Sequence, residues 1–135
     1  MRYFFDNNLP THLAHAIREL CKSDTRVLEV VHLRDKYVAN AKDHEWISDL
    51  GKSGRWIVIS QDGFRKNDLE REALRKSGLI VFVLSKQWSS HQFWIKAHNL
   101  VKWWPDIMDQ VERISGGAAY RVGWQHTKRF EQIKI

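Results

Sequence analysis

A single cysteine, two prolines and seven glycines stand among 135 residues, and no apolar run approaches the ~20 residues needed to cross a bilayer. Cys21 therefore has no intrachain disulfide partner. It closes the apolar stripe Leu13, Ile17 and Leu20, where a free cysteine acts as a small core hydrophobe. The short apolar runs exclude membrane insertion through a helix. Met1 to Asp6 enters a strand-like pattern at once, without the long apolar centre of a secretory signal, so a cytoplasmic location is expected. The glycines form no phosphate-cradling loop, dinucleotide fingerprint or nucleophile elbow, which disfavours an NTPase, a dehydrogenase or an α/β-hydrolase. His44-Glu45 lacks the second histidine of a zinc-protease helix, and His12 with His15 has no further ligand signal. Repeats, low-complexity tracts and linkers are also missing, so one domain over residues 1–135 is expected.

Acidic residues are in the minority. Lysine and arginine outnumber aspartate and glutamate by 22 to 16, for a net charge of +6 and a pI near 9.6. That balance favours a polyanionic partner through counterion release. The carboxylates that remain are the more informative residues.

Strand and helix patterns alternate along the first 84 residues, as in βα units feeding a mostly parallel sheet. Tyr3 to Phe5 reads as a strand, and Asn8-Leu9-Pro10-Thr11 as a helix start, with Asn8 as the cap and Pro10 in the first turn. The first helix is expected over Pro10 to Cys21, a second strand over Val27 to Val31, and a polar connection from His32 to Lys42. A second helix over Asp43 to Lys52 leads into the strand Trp56 to Ser60. Asn67-Asp68 caps a third helix that stops at Gly78, and Leu79 to Leu84 is the clearest buried strand. Residues 1–84 thus read as a β-α-β-α-β-α-β core and 85–135 as a tryptophan-rich extension. In it, Phe93, Ala97, Leu100, Val101 and Trp104 share one helix face, and Pro105 is expected to break or restart that helix. Ala118 to Trp124 is a candidate strand, and the final stretch a short helix or a loosely held tail.

Asp6 closes the first strand, Asp62 follows the third, and Asp43 opens the second helix. Ligands of open parallel sheets bind beyond the carboxyl ends of the strands, so these acids are expected at one edge, as in a metal-dependent nuclease. Mg²⁺ or Mn²⁺ takes oxygen ligands from a few carboxylates, with water and substrate phosphate completing the shell. Such an ion activates a water for in-line attack on a phosphodiester. Turn or helix capping is the other reading of Asp6 and Asp62, and an N-cap that of Asp43. Glu45 is the reserve carboxylate beside Asp43. Asp68 is either a fourth ligand or a cap.

Four segments in order carry a family resemblance: Phe5-Asp6-Asn7-Asn8-Leu9-Pro10, Val31-His32-Leu33-Arg34-Asp35, Asp43-His44-Glu45-Trp46-Ile47, and Ile57-Val58-Ile59-Ser60-Gln61-Asp62-Gly63-Phe64. Together they resemble the PIN-like domains, in particular the short PIN-like proteins similar to VapC-type toxin ribonucleases, over about Met1 to Leu84. The resemblance implies a three-layer α/β/α fold with a mostly parallel central sheet. It also implies an acidic site on Asp6, Asp43 and Asp62 that uses Mg²⁺ or Mn²⁺ to hydrolyse RNA, leaving a 5′-phosphate and a 3′-hydroxyl. The implied role is the toxin of a toxin–antitoxin pair, with a cognate antitoxin as partner. Phe64 stands where many relatives carry a second aspartate, so that ligand is absent or replaced by Asp68. A non-catalytic RNA-binding or protein-interaction module on the same fold is the alternative.

Arg34, Lys36, Arg65 and Lys66 lie on the connections flanking these carboxylates and are candidates to hold backbone phosphates. Five of the seven tryptophans, Trp88, Trp94, Trp103, Trp104 and Trp124, lie beyond Ser85. Core packing is their expected role. Stacking on bases, or a patch for an antitoxin or a second copy in a homodimer, is the alternative.

Overall fold

Apolar runs rich in β-branched and aromatic residues form the strands in this computed structural model, which describes residues 1–61, 63–64 and 67–134. The strands are β1 (Arg2–Phe5), β2 (Glu29–His32), β3 (Trp56–Ser60), β4 (Ile80–Leu84), β5 (Ala118–Val122) and β6 (Glu131–Ile133). The helices are α1 (Thr11–Leu20), α2 (Leu33–Lys36), α3 (Asp43–Lys52), α4 (Asp68–Ser77) and α5 (Phe93–Glu112). The strands form one six-stranded sheet of order β2-β1-β3-β4-β5-β6. The first five run parallel, and β6 pairs antiparallel with β5.

Alternate side chains of a strand face opposite ways, and here both faces are covered. Tyr3 and Phe5 pack with Leu13 and Ile17 of α1 and with Leu100, Trp103 and Trp104 of α5. Phe4 packs with Trp46 and Leu50 of α3, Leu74 of α4 and Leu33 of α2. This is the three-layer α/β/α arrangement. Where α3 meets α4, Gly51 permits the close approach: a Cβ there would lie 2.9 Å from Ser77 Cα. Gly78 ends α4 in the left-handed region, φ 72°, a conformation that costs glycine little. Among the described residues, no helix is long and apolar enough to cross a membrane.

Several local expectations need correction. The second strand begins at Glu29 because Val27 is in a turn, its N–H bonded to Asp24 O at 3.1 Å, with Arg26 paired to Asp24 at 2.9 Å. The connection from His32 to Lys42 contains α2, fixed by a reciprocal capping box between His32 and Asp35. Pro105 neither breaks nor restarts α5, which runs through it; proline removes one donor, and the apolar face on either side stays anchored by Leu100, Trp103, Trp104, Ile107 and Val111. The last stretch forms the edge strand β6 instead of a helix or tail. Phe130 holds its start against Phe82, 5.2 Å between ring centroids, and Trp103 at 5.1 Å.

The caps also differ. The N-cap of α1 is Pro10 and that of α3 is Lys42, neither with a side-chain cap bond. Asn67 alone caps α4, accepting from Glu70 N at 2.9 Å. Core packing accounts for Trp88, Trp103 and Trp104, which are buried, whereas Trp94 is 81% exposed and Trp124 half-buried.

Candidate functional site at the carboxyl edge of the sheet

The chain order places β2 and β3 on opposite sides of β1, so the loops leaving β1 and β3 diverge at a switch point, where open α/β sheets bind ligands. Asp6 stands there. Its N–H continues the β1–β3 ladder to Ile59 O at 3.0 Å. Its side chain is 3% exposed. Asn7 N donates to Asp6 Oδ1 at 2.6 Å, and Ser60 Oγ donates to Oδ2 at 2.8 Å. Burying a carboxylate costs several kcal/mol without such compensation. The β3 side of the switch point thus supplies a donor to the acid on β1.

The next two residues tie the loop after β1 to its neighbours. Asn7 Nδ2 donates to Ala39 O at 3.2 Å, while Asn7 Oδ1 accepts from Arg34 Nε at 2.9 Å. The Arg34 guanidinium is thereby held one residue from Asp6. Asn8 does not cap α1; its Oδ1 accepts from Gln61 N at 3.1 Å, joining the β1 and β3 loops. Gln61 Nε2 donates in turn to Leu84 O at 2.9 Å and Ser85 O at 3.0 Å, extending the link to β4.

Asp43 opens α3, whose C-terminus leads into the start of β3, so its N-terminus lies at the carboxyl edge. Asp43 Oδ1 accepts from Trp46 Nε1 at 3.0 Å. Trp46 is buried against Phe4, at a centroid separation of 4.8 Å, and against Phe64 at 5.9 Å. Asp43 therefore has a packing role, while its Oδ2 carries no hydrogen bond among the described residues. Glu45 is exposed in the same first turn. Phe64, which stands in place of the second aspartate that the family resemblance implies, is buried beneath Trp46 with φ 56°. Asp68 is on the outer surface of α4, with a side chain 94% exposed and paired with Arg71 at 2.5 Å. Lys36 Nζ lies over the Tyr37 ring at 5.8 Å and the Trp56 ring at 5.9 Å. Asp62, Arg65 and Lys66 lie outside the described residues.

Sequence reasoning did not find a second polar cluster on the β2 flank. His32 is buried and uses both ring nitrogens: Nε2 donates to Leu9 O at 2.7 Å and Nδ1 accepts from Arg34 N at 3.1 Å. That pairing fixes the neutral Nε2–H tautomer. Burial depresses the His32 pKa, outweighing its bond to the Leu9 carbonyl. Asp35 accepts from His32 N at 2.8 Å and meets His15 Nε2 at 2.9 Å. Desolvation alone would raise the Asp35 carboxyl; the His32 N–H and the His15 side chain outweigh it and hold it below the usual carboxylate value. The His32-x-x-Asp35 spacing was the available signal, since an acceptor three residues before an acid is a capping-box pattern. Ser60 and Gln61 were signalled only by their place before Asp62 at a strand end.

The oxygen chemistry of Asp6, Asp43 and Ser60 suits a hard divalent cation, which needs only one or two protein carboxylates beside water and phosphate. Among the described residues, no group of three His, Cys, Asp or Glu side chains is gathered to hold a metal.

No curated protein and no solved structure matches this chain. A family model described as "PIN like domain" matches residues 1–86, which contain β1 to β4 and the switch point. PIN-like domains are a nuclease-type superfamily that typically uses divalent metals. With its α/β/α layers and an acid at the end of β1, beside the switch point, the chain belongs to the PIN-like domain family.

Proposed function

We propose that this protein is an Mg²⁺- or Mn²⁺-dependent endoribonuclease and the toxin of a toxin–antitoxin pair. The observation that carries the reading is Asp6: a buried carboxylate at the switch point, held by Ser60 Oγ and Asn7 N, in a chain of a nuclease-type family. Costly buried charges concentrate at functional sites.

When bound, the metal would supply Lewis acidity and an activated water. The residues of the chain supply position and charge. Ser60 and Asn7 fix both oxygens of Asp6 in one orientation. Arg34, anchored on Asn7, sets a cation where a substrate phosphate would approach. Helices α1, α3 and α4 begin at this edge, and their N-terminal N–H groups favour an anion. Asp43 Oδ2 and Glu45 are the oxygen groups on the α3 side. Asp62 completes the acidic set that the family resemblance implies.

The resemblance to short PIN-like toxins supports the toxin role and an antitoxin or a second copy as partner. The exposed Trp94 offers an aromatic surface for one. Because both Asp6 oxygens already accept hydrogen bonds and Phe64 replaces an aspartate, a non-catalytic RNA-binding module is the second reading. Incubating RNA with the wild type and Asp6→Asn, in Mn²⁺, Mg²⁺ or EDTA, separates the two. Metal-dependent cleavage lost in Asp6→Asn supports the nuclease; binding without cleavage in both proteins supports the module.

A further inference from the structure

Beyond the switch point the same edge of the sheet continues as a trough. The first cleft, about 350 Å³, lies over the ends of β3 and β4 and is walled by Gln61, Ser85, Lys86, Ser89 and Arg121. A second, about 420 Å³, lies over the end of β5 and is walled by Arg121, Trp124, Thr127, Arg129 and Glu131. Arg121 lines both, so the two clefts adjoin at its side chain. Each is at the small end of the roughly 300–1,000 Å³ range of ligand sites, a size suited to one nucleotide.

The trough has a basic rim over a floor that is mixed in the first cleft, where Val83, Leu84 and Ile133 also line it, and polar in the second. Arg121 is paired with Glu131 at 2.9 Å, the carboxylate facing this stretch. Lys86 and Arg129 are exposed and form no ion pair among the described residues. Two polar atoms beneath the first cleft, Gln61 Oε1 and Ser85 Oγ, are buried without a hydrogen-bond partner among the described residues. Unsatisfied groups of this kind are rare in folded proteins and suit a polar occupant better than an apolar one.

The far wall is held rigidly. Trp124 stacks on His91 at 3.6 Å, interplanar angle 7°, and meets Trp88 edge-on at 4.9 Å. His126 is anchored to Asp106 of α5 at 2.6 Å. Phe130 is packed against the core. Between those anchors Thr127, Lys128 and Arg129 are exposed, with Lys128 at φ 64°, a conformation uncommon for residues other than glycine. Cations along a groove and an aromatic wall are the elements of single-strand recognition.

We infer that this trough carries single-stranded RNA away from the switch point, with Lys86, Arg121 and Arg129 on successive phosphates and Trp124 against a base. The inference rests on RNA being the substrate. Arg121, Trp124 and Arg129 lie outside the residues that the family model matches, so the trough is a feature of this chain's own C-terminal part.

The test is anisotropy binding of a labelled single-stranded oligoribonucleotide in EDTA, which prevents metal-dependent cleavage, at several salt concentrations. The double variant Lys86→Gln/Arg129→Gln should bind at least about tenfold more weakly, with a salt slope smaller by about 1.4, at ~0.7 per contact. The double variant Lys52→Gln/Lys76→Gln, an equal charge change in the last turns of α3 and α4 away from this edge, should bind as the wild type does. A duplex of the same length should bind more weakly than the single strand. Equal affinity and slope for the double variant would overturn the trough while leaving the nuclease reading intact. Absence of RNA binding by the wild type in EDTA would overturn the trough, while the nuclease reading stands or falls on cleavage with metal present. Cleavage lost in Asp6→Asn with trough binding retained separates the two sites.

Discussion

Ser60, the last residue of β3, donates its hydroxyl to Asp6 at 2.8 Å across the β1–β3 switch point, with both residues buried. The bond orients the acid and offsets its desolvation. Ser60→Ala should therefore lower stability by about 1–3 kcal/mol, the cost of a buried acceptor losing its donor, as read from urea unfolding. Cleavage should fall as well, because Asp6 loses its fixed orientation. Ser60→Thr keeps the hydroxyl and should retain more of both.

Asp43 has two roles that different substitutions separate. Asp43→Ala leaves the buried Trp46 N–H without its acceptor and should cost about 1–3 kcal/mol. Asp43→Asn keeps an acceptor for Trp46 and should unfold close to the wild-type denaturant midpoint. If Asp43 also serves the metal, cleavage by Asp43→Asn should fall despite its retained stability. Full activity in that variant would reduce Asp43 to packing.

His32 links stability to pH. Its folded pKa lies below the 6.5 of the free side chain because burial opposes the charged form. The unfolded state then binds more protons as pH falls through 6.5, so the contribution is present above that value and is lost toward the depressed folded pKa. Asp35, held below 3.8, adds a separate loss as pH falls below that value. Thermal unfolding should show a lower midpoint at pH 5 than at pH 7.5, and His32→Gln should flatten that dependence. An unchanged slope in His32→Gln would assign the pH effect elsewhere.

Gly51→Ala places a Cβ against Ser77, where the closest atoms would be 2.9 Å away. The contact is with backbone, so α3 and α4 must separate. A loss of about 1–3 kcal/mol is expected, measurable by chemical denaturation, with RNA binding by the folded protein preserved.

Much of this architecture is legible in the sequence, for identifiable reasons. β1, β3 and β4 are covered on both faces and so appear as uninterrupted apolar runs. Helices α1, α3 and α4 show apolar stripes between recognisable starts and stops. Asp6 is legible because a strand end in a parallel sheet is already a functional position. β6 is not: Glu131, Gln132 and Ile133 form a short polar edge strand created by pairing with β5 and by the anchoring of Phe130, both tertiary effects. Pro105 was misleading because local propensity takes no account of the buried face that holds α5 together. The roles of Ser60, Asn8 and Gln61 depend on contacts 53 or 54 residues apart or on β4, and no local pattern encodes them. The misassigned cap at Asn8 has the same origin, since its side chain is engaged by the β3 loop.

The most direct test of the account is cleavage of a labelled single-stranded RNA by purified wild-type protein and Asp6→Asn, with Mn²⁺ or Mg²⁺ and with EDTA, alongside thermal unfolding of both. The account predicts cleavage by the wild type that requires the metal, and loss of that cleavage in an Asp6→Asn protein that remains folded. Equal cleavage by the folded variant, or wild-type cleavage that persists in EDTA, would contradict it.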